Sequence, residues 1–164
     1  MHRHQTLFVR SVIVAAVLYL ALPGIASSGM PVQPAPEIDV SYFGMHIHRA
    51  ENIWPNVVFG SWRLWDTGTD WASLEPVRGQ WDFNRLDKYV ALSLQHGIEP
   101  VLVLGNSPVW ASSRPFEASA YGRGGAAEPR SLSDWENYVR TVATRYHGRV
   151  RYYEIWNEPN LTQF

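Results

Sequence analysis

From residue 40 onward short apolar runs alternate with longer amphipathic stretches, a pattern that confines the chain to a parallel α/β architecture. Residues 40–46, 61–65, 98–104 and 150–156 read as strands, the third apolar enough for burial on both faces. Between them, Leu86, Val90, Leu92 and Leu94 lie near helical spacing and stop at Gly97. A second helix is expected to start with Ser133 as cap and Glu136 at the capping-box position. It sets Trp135, Val139 and Val142 on one face and ends near His147-Gly148. Strands joined this way run parallel with right-handed crossovers. The pattern alone fits a closed barrel and an open doubly wound sheet equally well. In either, residues 66–82 and 106–130, rich in Gly, Pro, Trp and Ser, follow the C-terminal ends of strands two and three, where ligand sites gather.

The 164 residues are 46% hydrophobic and 18% charged, a globular balance. A formal net charge of −1 argues against nucleic acid or an anionic membrane as an obligatory partner, and oligomeric state is left open. With no cysteine, disulfides, thiolate nucleophiles and cysteine-ligated zinc are excluded. Eight tryptophans and eight tyrosines suit either core packing or stacking on sugar rings. Residues 1–28 read as a secretory signal peptide: Arg3 and Arg10 precede an apolar run over 11–22, and Gly24-Ile25-Ala26 offers a cleavage site. A secreted or periplasmic protein is expected, with an uncleaved membrane anchor as the alternative. Residues 29–40, with Pro31, Pro34 and Pro36, form a tether, and 41–164 the folded part.

The stretch with most chemistry in it is Tyr152-Tyr153-Glu154-Ile155-Trp156-Asn157-Glu158-Pro159-Asn160, a strand running straight into an amide and a carboxyl. Simple alternation sends Asn157 and Glu158 to opposite faces, so the chain must bend there if both are to meet one pocket. Alone, Asn-Glu-Pro is an ordinary loop tripeptide. Here it follows, in order, Phe43-Gly44, Arg63 within Trp62-Arg63-Leu64-Trp65, Trp71, Leu74-Glu75-Pro76, Gly79, Trp81-Asp82-Phe83 and Pro108-Val109-Trp110-Ala111. This series resembles the clan A glycoside hydrolases, family 39 and its cellulase-like relatives above all, from about Tyr42 to the end. The resemblance implies a (β/α)₈ TIM barrel, represented here by its N-terminal half and truncated after strand four, and hydrolysis of O-glycosyl bonds with retention. It implies Glu158 as acid/base, Asn157 on the sugar 2-hydroxyl, Arg63 beside the nucleophilic carboxylate, and His46 and Trp110 as sugar contacts. A carbohydrate is then the partner, and the chemistry requires no metal or organic cofactor.

A retaining glycosidase needs a second carboxylate about 5–5.5 Å from the first. The resemblance places that nucleophile on strand seven, outside these residues, so the 164-residue chain by itself is expected to be inactive. Two rival readings follow. A glycan-binding or assembly fragment would use the aromatic loops or open sheet edges without catalysis. A metal-dependent amidohydrolase would use His46-Ile47-His48, two imidazoles on one strand face, as metal ligands. Arg63 has a structural alternative as partner of Glu154, and His46 one as a core histidine. Gly122, Gly124 and Gly125 do not suit a phosphate loop, and Asn160-Leu161-Thr162 fits a glycosylation sequon.

Overall fold

Four short strands, β1 (Gly44–His46), β2 (Ser61–Leu64), β3 (Glu99–Leu104) and β4 (Tyr152–Ile155), pair in parallel in the order β1-β2-β3-β4. The order decides between the two architectures the pattern allowed: each strand neighbours the next in sequence, as in a barrel, whereas a doubly wound sheet reverses direction part-way. This computed structural model describes residues 35–161. The signal-peptide reading of residues 1–28 and the first half of the tether, residues 29–34, lie outside them. The chain divides between Pro36 and Glu37, and the unit from Glu37 carries every element. Among the described residues no helix is long and apolar enough to cross a membrane.

β1 is shorter than expected. Asp39 accepts a hydrogen bond from the Ser41 amide, and residues Val40–Tyr42 close into a 3₁₀ turn instead of extending. An Asp side chain offering its own backbone a local partner competes with strand formation.

Three helices follow: α1 (Trp71–Leu74), α2 (Asn84–Gln95) and α3 (Leu132–Arg145). α2 buries Leu86, Tyr89, Val90 and Ser93, while Leu94 is exposed, so the packed face is centred one step away from the leucines. It ends as Gly97 predicts. Gly97 takes φ +67°, its amide bonds the Leu94 carbonyl at 3.1 Å, and the Ile98 amide bonds Ser93 at 2.8 Å. That paired closure satisfies carbonyls a helix end leaves open. The cap of α3 lies two residues before the expected one. Ser131 is its N-cap, and the Ser133 hydroxyl is spent on Ser131 Oγ at 2.7 Å. Its buried residues are Tyr138 and Val142, with Trp135 and Val139 half-buried beside the core.

The register Trp62↔Pro100, Leu64↔Leu102, Leu102↔Tyr153 sets one face of the sheet against the helices. Trp62, Leu64, Pro100, Leu102 and Leu104 are all buried there. The opposite face carries His46, Arg63, Val101 and Tyr152 in one row and Val103 beside Glu154. Val103 is buried but Val101 is only half-buried, so β3 is closed on its helix side and partly open on the other. The apolar core thus sits between sheet and helices, and the polar row is left for chemistry.

Candidate active site

Beyond β2, β3 and β4 the chain turns through a non-glycine residue at positive φ: Asp66 at 55°, Asn106 at 57° and Trp156 at 66°, with Glu158 at 42°. Left-handed backbone at a residue with a Cβ costs about 1–3 kcal/mol and gathers at functional sites. At β4 the turn has a visible result. The Trp156 amide still bonds the Leu104 carbonyl at 2.8 Å, continuing the ladder, and the chain then swings so that Asn157 and Glu158 sit together. Simple alternation is broken by the two positive φ values rather than by a bulge.

Four side chains from β2, β4 and this turn form a continuous chain of hydrogen bonds. Arg63 donates from Nε to Glu154 Oε2 at 2.7 Å and from Nη2 to Glu154 Oε1 at 2.6 Å. The same Nη2 donates to Asn157 Oδ1 at 2.8 Å, and Asn157 Nδ2 donates to Glu158 Oε2 at 3.1 Å. Arg63 and Glu154 reach each other across β3, over the row that Val101 and Val103 occupy. The charge-assisted hydrogen bond to Glu154 holds the guanidinium above its ordinary pKa, and the same bond holds the Glu154 carboxyl below its own. With Oδ1 fixed by an arginine donor, the Asn157 amide has only one orientation, and one N–H is left over. Asn157 is buried, whereas Glu158 is exposed at the mouth.

A second group lies beside it at the ends of β1 and β2. His46 Nε2 bonds the Trp65 carbonyl, and the His46 and His48 rings lie 4.5 Å apart. Trp65 Nε1 donates to the Tyr121 hydroxyl at 3.1 Å, with the rings edge to face at 5.0 Å. Burial first, and then its hydrogen bond to Asp66, push the Tyr121 hydroxyl up to about 12. Tyr121 thereby fastens the long segment 106–130 to the end of β2. Nothing in the periodicity of that segment marks Tyr121; only its position after a parallel strand's C-terminal end brings it under suspicion.

The pattern that defines Glycosyl hydrolases family 39 matches residues 62–164, from the middle of β2 through the Asn157-Glu158 turn. The chain belongs to this family. An Endo-1,4-beta-xylanase A from Phanerodontia chrysosporium is 32% identical over 89 residues, covering 54% of this chain and 20% of the xylanase. Among solved structures, a family 39 glycoside hydrolase from Bacteroides cellulosilyticus WH2 superimposes with a TM-score of 0.54 at 23% identity, over 76% of this chain and 27% of that one. That likeness carries the fold: β1 to β4 are the N-terminal half of a (β/α)₈ barrel. The chain spans about a fifth of the xylanase and about a quarter of the Bacteroides enzyme.

Within the family 39 fold the candidate residues separate. Arg63, Asn157 and Glu158 form one network, and the Arg63–Glu154 pairing that the sequence left open is present. His46 stands beside Arg63 in the register of β1 and β2. Trp110 is placed differently. Its indole N–H donates to the Glu75 carbonyl at 2.8 Å, Trp71 meets it edge to face at 5.7 Å, and the Arg78 guanidinium covers its ring at 4.5 Å. Among the described residues no hydrogen bond or ring contact joins Trp110 to Glu158. It packs the loop after β3 onto α1.

The Arg63–Glu154 pair yields a prediction. A carboxyl held low in the fold stabilises above its unfolded value, about 4.3, and loses that contribution as pH falls through the lower folded value. With side chains 30% and 38% exposed, the pair contributes about 1 kcal/mol or less. Glu154→Gln is expected to lower the unfolding free energy read from urea titration at neutral pH by that amount and to remove this step below pH 4. Acid limbs of equal steepness in both proteins would place the responsible carboxylate elsewhere.

Proposed function

We propose that this chain carries the acid/base half of a retaining O-glycoside hydrolase site, with Glu158 as the proton-transferring carboxyl. The observation that supports it is the Arg63–Asn157–Glu158 chain at the open end of β4, where a barrel collects its ligands. In the first step Glu158 gives its proton to the glycosidic oxygen while a carboxylate from the other half of the barrel attacks the anomeric carbon. In the second step the Glu158 carboxylate takes a proton from the water that displaces the sugar. Asn157, its Oδ1 held by Arg63, offers its remaining N–H to the sugar 2-hydroxyl. Arg63 is committed to Glu154 and acts by positioning Asn157. His46, on the inward row beside Arg63, is the sugar contact from β1.

The substrate class in this proposal is a β-1,4-linked xylose polymer, on the strength of what the Phanerodontia relative is called. Export directed by residues 1–28 belongs to the same proposal, since plant polysaccharide lies outside cells. The test is hydrolysis of xylo-oligosaccharides by protein that carries this chain within a closed barrel, with the product anomer followed by NMR. Release of the β-anomer first is the expected result. Initial release of the α-anomer would overturn the retaining mechanism. Binding of the oligosaccharide without any turnover would favour the glycan-binding reading.

A further inference from the structure

His46, His48 and Asp66 do not all find work in glycoside hydrolysis, yet they meet at one point of the mouth. One ligand atom from each lies within 4.8 Å of the other two, and all three residues are exposed. We propose that they form a binding site for a late first-row divalent transition metal, with Zn²⁺ as the representative cation. Two imidazoles and one carboxylate are the donor set that such ions take, with a fourth position left open to water.

Three features of the surroundings support the assignment beyond proximity. His46 Nε2 is bonded to the Trp65 carbonyl, so that nitrogen carries the proton and Nδ1 presents its lone pair outward. A histidine that binds a metal through one nitrogen and donates the other N–H to a backbone carbonyl is the usual arrangement at metal sites. Asp66 lies beside the Tyr121 hydroxyl, a polar neighbour able to orient its carboxylate in the same way. Asp66 also holds positive φ, so backbone strain is accepted in order to aim this side chain. Ligand atoms around one Zn²⁺ at its ordinary bond lengths sit about 3.3 Å apart. All pairs of ligand atoms already lie within 4.8 Å and all three side chains are exposed, so that spacing is within reach of side-chain rotation.

The site shares His46 with the proposed sugar-binding mouth, but its other two ligands, His48 and Asp66, take no part in the proposed hydrolysis, and its test reads metal alone. Wild-type protein is treated with diethylpyrocarbonate with and without Zn²⁺, and each of the six histidines is followed by mass spectrometry. Protection is expected at His46 and His48 together, reversed by a chelator, with His96 and His147 unchanged. Uniform protection, none, or protection confined to His2 and His4 would overturn the site. Asp66→Asn is expected to raise the Zn²⁺ concentration needed for protection at least tenfold or so. An unchanged concentration would remove Asp66 from the ligand set. The wild-type map decides the matter even if that variant folds poorly.

Discussion

Glu158→Ala, in protein that carries this chain within a closed barrel, is expected to slow the hydrolysis of unactivated xylo-oligosaccharides by about 10²–10⁴-fold. The reason lies in what the leaving oxygen must become. An alkoxide of an ordinary sugar is a poor leaving group and needs a proton as the bond breaks, and Glu158 is the exposed carboxyl at the mouth of β4 that can give one. Aryl glycosides with acidic phenols leave without that help, so the glycosylation step on such substrates should lose far less. The second step still needs a base, and external azide, which needs none, should restore turnover of the activated substrate. Equal losses on both substrate types in the glycosylation step would remove Glu158 from the acid role. The Asn157 hydrogen bond gives a control. Asn157→Ala keeps the carboxyl but frees it from Nδ2, and it should reduce both substrates together because the sugar 2-hydroxyl contact serves both.

The residues that carry this argument differ in how far they could be read without coordinates. The Asn157-Glu158 bend was legible, because strict alternation at a strand end followed by Pro159 leaves few other ways to bring both to one side. Arg63 and Glu154 were legible as alternatives only. A charged residue in a barrel strand must find a partner, but which partner depends on register across β3. Trp110 was ambiguous for a different reason. A tryptophan that stacks on sugar and one that braces a loop have the same chemistry, and only the partners Glu75, Trp71 and Arg78 tell them apart. Tyr121 and Asp66 lay beyond reach, since a long irregular segment has no period from which to project a side chain. The errors of one to four residues at strand and helix starts came from local competitors: Asp39 at β1 and Ser131 at α3 each capture backbone or hydroxyl groups that the periodic pattern assigned elsewhere.

Trp71→Ala is expected to cost about 3–5 kcal/mol. Its side chain is wholly buried and touches every layer behind the mouth. It stacks on Tyr138 of α3 at 4.9 Å and 8°, and meets Trp110 and Trp135 edge to face. Its indole N–H donates to Glu75 Oε2 at 2.9 Å, one of the few partners of a carboxylate that is itself buried. Its backbone amide bonds the Gly105 carbonyl at 3.0 Å and the next amide bonds Asn106 at 3.1 Å, so α1 is fastened to the end of β3. Alanine would leave a cavity among three aromatic rings and take a donor from Glu75 at once. Trp71→Phe separates the two effects: it keeps much of the stack and loses the N–H, for about 1–3 kcal/mol. Urea unfolding followed by circular dichroism should rank wild type, Phe and Ala in that order. If Trp71→Ala cost no more than a surface change, the aromatic cluster could not be what holds the loops after β2 and β3 in place. The strained Asp66 and Asn106 turns would then need another brace. Because the site borrows its rigidity from this cluster, the same substitution should also loosen protection of the Asn106 amide in hydrogen exchange before the sheet itself opens.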